Sequence, residues 1–159
     1  MRIELIHPML VHFPIALLIT GLIVRFAALW VRKKSSLSFL LPASWMILGL
    51  GVLAAWLAIV AGELARDVVE PTLENLTILD EHEHHAYYTA YGFTMGLCID
   101  LIRAYLMRTS KKKDWLVRNG LAAFIWFFYL ISLGNLAITG YLGGSLVYSE
   151  AAAVKKLNS

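Results

Sequence analysis

The chain is short of what most soluble proteins carry. Asp, Glu, Lys and Arg together make up 16% of its 159 residues, against ~25% in an average soluble domain. A single cysteine, Cys98, excludes an intramolecular disulfide and any CxxC zinc or redox site. Alternating polar and apolar strand patterns are missing, which argues against a β-barrel. No GxSxG elbow, phosphate-binding loop or Gly-rich dinucleotide fingerprint occurs, so those enzyme classes are not indicated.

What is abundant is apolar. Hydrophobic residues reach 59% and mean hydropathy is +0.67. A length of 159 residues allows one domain, 1–159. Apolar runs of the ~20 residues needed to cross a bilayer occur four times. They are Pro8 to Val31, with one charge at Arg25; Phe39 to Gly62; Ala86 to Met107, with Asp100 and Arg103; and Leu121 to Tyr148. The expected fold is therefore all-α, a bundle of four membrane-spanning helices at about 8–31, 39–62, 84–107 and 119–148. The first run exceeds the usual apolar core of a cleaved signal peptide and lacks a basic segment before it beyond Arg2.

The formal charge of +3 is best read by position. Arg32, Lys33 and Lys34 follow the first run; Arg108, Lys111, Lys112, Lys113 and Arg118 follow the third. Both groups fall on one side of the membrane, and the rule that basic loops stay inside places that side in the cytoplasm. The other side holds both termini and the acidic segment Glu63 to Glu83, which reads as a polar periplasmic loop with room for a short surface helix. This predicts periplasmic termini in the inner membrane of a bacterium and removes the need for a nucleic-acid partner. Trp30 and Trp115 fall at the expected cytoplasmic interface, whereas Trp45, Trp56 and Trp126 read as packing residues.

All five histidines lie at the outer ends of the first and third spans. His7 and His12 open the first; His82, His84 and His85 open the third. Bundles build cofactor sites from side chains on facing helices, and an ionisable residue within a span marks a candidate functional site. His12 lies ~140° around the helix from His7, so the two face differently unless the prolines bend the chain. The pairing expected from depth is His12 with His85, with His7 and His84 as substitutes. His82 and His84, in an acidic run, read as solvated helix caps. Gly92 and Gly96 lie seven and eleven residues beyond His85 on one face, and give either close packing or room for a flat macrocycle. Two neutral imidazoles on facing helices suit axial ligation of haem b. The same residues could instead hold zinc, copper or nickel, or only cap helices in a structural subunit without a cofactor. Gly140 and Gly144 form a GxxxG pair suited to helix packing, Asn135 needs a partner inside the bundle, and Asp100 is expected to pair with Arg103.

The opening His7-Pro8-Met9-Leu10-Val11-His12-Phe13-Pro14-Ile15-Ala16 resembles the HPxxVHFPIA signature of a bacterial membrane family catalogued as domain of unknown function 2231. The close Gly143-Gly144-Ser145-Leu146-Val147-Tyr148 resembles that family's GGxLVY, and His85-Ala86 its histidine at the third helix. The resemblance spans the chain and implies a small four-helix integral membrane protein, in some cases associated with cytochrome-like or Rieske-type modules. Family members often follow LVY with a histidine-glycine pair; Ser149-Glu150-Ala151 stands here, which leaves one site on the first and third helices. The expected role is a redox carrier or accessory subunit rather than a stand-alone enzyme. Its partners would be the bilayer and, for electron transfer, other redox membrane subunits or a periplasmic electron carrier.

Overall fold

The structure, a computed structural model, describes residues 6–31, 35–73, 76–109 and 119–149. Among them every regular element is helical: α1 (Ile6–Leu10), α2 (His12–Trp30), α3 (Leu40–Val69), α4 (Leu76–Thr109) and α5 (Leu121–Tyr148). Short 3₁₀ turns occupy Ser35–Leu37 and Glu70–Thr72. The basic connections at 32–34 and 110–118, Trp115 and both chain ends lie outside the described residues. α1 and α2 form one span interrupted at Val11. Pro14 is the physical reason, since it has no N–H to donate to the Leu10 carbonyl and its ring crowds that oxygen. The Val11 N–H still donates to the His7 carbonyl at 3.1 Å, so the chain bends without unwinding.

Among the described residues three stretches are long and apolar enough to cross a membrane: Ile6–Trp30, Leu40–Thr72 and Leu121–Tyr148. The other long helix, α4, has 34 residues, or about 51 Å of length. It falls outside that apolar set. Its first turns carry Asp80, Glu81, His82, Glu83, His84 and His85, and it also holds Asp100 and Arg103. The expected loop between Glu63 and Glu83 requires correction, because most of it is helix. α3 runs on to Val69 and α4 begins at Leu76. The break falls at Pro71, within the 3₁₀ turn. Arg66 holds the two extensions together through Glu70 at 2.9 Å, Asp80 at 2.8 Å, and Glu83.

The bundle is built from two close hairpins, α2 against α3 and α4 against α5. Each uses glycines where a neighbour presses in. At Gly21 a Cβ would stand 2.8 Å from the Leu48 side chain, and at Gly51 the same distance from Leu18. Leu18, Leu48, Phe93, Ile125 and Tyr129 belong to the shared core. The outside is apolar too: Phe26, Leu57, Phe127 and Leu130 are all exposed. Lipid tails are as apolar as these side chains, so packing and interhelical hydrogen bonds, rather than burial of apolar area, hold such helices together. α3 and α4 join the hairpins along a smaller contact, while α2 and α5 scarcely touch. That last seam is open.

Candidate functional site

The open seam forms a groove of about 440 Å3, within the volume range of ligand pockets. His7, His12, Ala58, His82, Thr139 and Gly143 are among its lining residues. The pair brought ring to ring is His7 and His82, with centroids 6.0 Å apart and planes at 87°. His7 Nδ1 lies 2.8 Å from the Ala58 carbonyl on α3. His82 Nδ1 lies 3.0 Å from the Thr139 carbonyl on α5. A carbonyl only accepts, so both Nδ1 atoms carry the proton and donate it. Each ring then keeps its Nε2 lone pair, the state in which imidazole ligates metals. His82 precedes the apolar part of α4; burial, reinforced by the neighbouring His7, pushes its imidazole below the ordinary range and keeps it neutral near neutral pH.

Small residues make these positions possible. A Cβ at Gly62 would come within 3.1 Å of His7 Cε1 and Nδ1, and one at Gly143 within 3.1 Å of His82 Cε1. A second, smaller cavity of about 50 Å3 adjoins the two rings and reaches Arg66, Glu83 and Tyr87. The Tyr87 hydroxyl donates to Glu63 at its edge.

The other expected residues are placed differently. His12 is exposed and lines the groove five residues along from His7. His85 turns to α5, where its Nδ1 lies 2.7 Å from Asn135 Oδ1. The Asn135 amide nitrogen donates to the Ile131 carbonyl, which fixes the amide orientation and makes His85 Nδ1 the donor. Asn135 thus finds its partner inside the bundle. His84 is exposed. Gly92 and Gly96 serve packing here: a Cβ on Gly92 would overlap Ser132 Oγ, and one on Gly96 would stand 2.7 Å from the Tyr129 ring. No macrocycle fits where those side chains already sit. Gly140 and Gly144, expected to pack, instead have open space at their Cβ positions and border the groove. Asp100, expected to pair with Arg103, is held by Arg25 of α2; the guanidinium reaches it from another helix in bidentate geometry, at 2.5 and 2.8 Å.

His82 is the residue that sequence reasoning set aside as a solvated cap. Its signal was a spacing of seven: His82, Thr89 and Gly96 share one face of α4, and the latter two are buried. Among the described residues no group of three or more His, Cys, Asp or Glu side chains is arranged to hold a metal ion. Two imidazoles over an apolar groove remain the donor set.

The chain belongs to the family described as predicted membrane protein (DUF2231), whose family model matches residues 4–156. No curated protein and no solved structure matches it.

Proposed function

We propose that this member of a membrane family holds one haem b in the groove between its two hairpins, where His7 and His82 are the residues that would hold it. The role is electron transfer, as a carrier or as a subunit of a redox complex. The observation that carries this reading is the pair of Nδ1–H groups anchored on backbone carbonyls of two different helices. Such anchoring fixes tautomer and ring orientation and leaves Nε2 as a base, as in many metal-ligating histidines. When bound, haem supplies one-electron chemistry. The chain's own contribution is to hold two neutral imidazoles, to exclude water with an apolar lining, and to keep the site near one end of the bundle. The distribution of basic loops supports placing that end outside the inner membrane of a bacterium, within reach of a periplasmic electron carrier.

The test is an absorption spectrum of protein purified from haem-replete cells. A reducible Soret and α band is expected, lost in both His7→Ala and His82→Ala and kept in His85→Ala. Colourless wild-type protein would overturn the haem reading. Bands that survive both His7→Ala and His82→Ala but vanish in His12→Ala and His85→Ala would assign the haem to that pair instead.

A further inference from the structure

A shift of 75 residues lays the leading helix of the first hairpin onto that of the second, and a shift of 81 does the same for the trailing helices. The first shift takes Leu18, Gly21 and Arg25 to Phe93, Gly96 and Asp100, all six of them buried. The second takes Leu48, Gly51 and Ala55 to Tyr129, Ser132 and Leu136, again all buried. Contacts repeat with the positions. Leu48 fills the space at Gly21, and its counterpart Tyr129 fills the space at Gly96. His7 Nδ1 meets the Ala58 carbonyl beside Gly62, and His82 Nδ1 meets the Thr139 carbonyl beside Gly143. In both cases the glycine stands one helical turn beyond the carbonyl and leaves room for the ring.

Two residues meet their own counterparts. The His7 ring lies 6.0 Å from the His82 ring, and Arg25 bonds Asp100. Self-matching contacts of this kind lie on a twofold axis. The two meetings are about five helical turns apart along the first span, so the axis runs along the bundle.

The two flanks of this axis differ. At the α3–α4 seam the Tyr87 hydroxyl donates to Glu63, and Arg66 pairs with Glu83. The counterparts of Tyr87 and Glu63 are His12 and Gly144, and those of Arg66 and Glu83 are Val147 and Pro8. Gly144, Val147 and Pro8 have no polar side-chain atom, so neither bridge has an equivalent between α2 and α5. Ile59, Glu63 and Tyr87 accordingly border the cavity of about 50 Å3, whereas Gly140, Gly144 and His12 border the groove of about 440 Å3. His7 and His82 line both.

We infer that the chain is one helical hairpin used twice, and that the α2–α5 seam is the haem's way in to the twin imidazoles of His7 and His82, because Gly140, Gly144 and His12 stand there in place of Ile59, Glu63 and Tyr87. The repeat stands on the contacts alone; the entry of haem rests on the reading proposed above.

The experiment offers hemin to protein purified from haem-deficient cells, as wild type and as His12→Tyr/Gly144→Glu, which copies the Tyr87–Glu63 bridge into the open seam. A bridged seam must part before anything enters, so the growth of the Soret band should slow by about tenfold or more in that variant. Tyr87→His/Glu63→Gly removes the bridge from the opposite seam and should load at the wild-type rate. Equal rates in wild type and bridged variant, or faster loading when the opposite bridge is removed, would overturn the inference. Wild-type protein that takes up no hemin would defeat the haem reading and leave access to the imidazoles to be read by diethyl pyrocarbonate, which acylates neutral imidazole. Labelling of His7 and His82, followed by peptide mass spectrometry, should slow in the bridged variant, and unchanged labelling would overturn the seam as the entrance. Should the double variant fail to fold, Gly140→Ile, which copies Ile59, replaces it with the same expectations.

Discussion

Single residues in this protein act according to what lies across from them. Four glycines invite the same chemical label, yet two are pressed by side chains and two face open space. At Gly96 the obstacle is a core aromatic ring, which cannot yield without disturbing Phe93 and Trp126. Gly96→Ala should therefore destabilise the bundle by about 1–3 kcal/mol, the usual cost of overpacking. Gly140→Ala should cost nothing, because nothing lies within 4 Å of the added atom. Unfolding titrations in mixed micelles measure both. If Gly96 only packs, any haem bound per folded molecule should be unchanged in Gly96→Ala. The sequence showed both glycine sets as small-residue stripes. It could not show which stripe has a neighbour, because that depends on how far one helix slides along another.

At the scale of the element, the decisive feature is the helical hairpin that rises beyond the apolar part of the bundle. Its sequence is polar enough to read as loop, but no helix breaker interrupts it before Pro71. Arg66 of α3 then joins three carboxylates, Glu70 of the 3₁₀ turn and Asp80 and Glu83 of α4. Each of these ion pairs is partly exposed, so each is worth little alone. Their combined effect is local. Arg66→Gln should raise amide hydrogen exchange across the end of α3 and the start of α4. Exchange near Arg25 and Asp100 should stay as it is. Equal protection at both ends in the variant would show that the clamp is not what orders the extension. The break at Val11 follows the same logic. His7-Pro8 and Phe13-Pro14 are plain in the sequence, and Pro14 marks where the helix must bend. The amount and direction of the bend belong to the packed molecule.

For the whole molecule, the two hairpins are joined through α3 and α4 and through the Arg25–Asp100 node, and they part along the seam of α2 and α5. The groove is what remains between them at the histidine end. The orientation proposed for it from the basic loops has a direct consequence. On a Cys98→Ser background, Ser149→Cys should react with a membrane-impermeant maleimide in intact cells, and Lys112→Cys only after lysis. The reverse pattern would place the groove on the cytoplasmic side and remove a periplasmic carrier from consideration.

The sequence alone determined that the chain is helical, where its apolar runs lie, and that its histidines gather at one end, because these depend on local composition and on the 3.6-residue period. It also showed that Asn135 would need a partner in the bundle. Only the tertiary structure decided that His7 meets His82 while His85 goes to Asn135, and that Asp100 reaches across to Arg25. Periodicity states which way a side chain points from its own helix. The vertical offset between neighbouring helices, set by knobs such as Leu18, Leu48 and Tyr129 against their glycines, decides what it finds there.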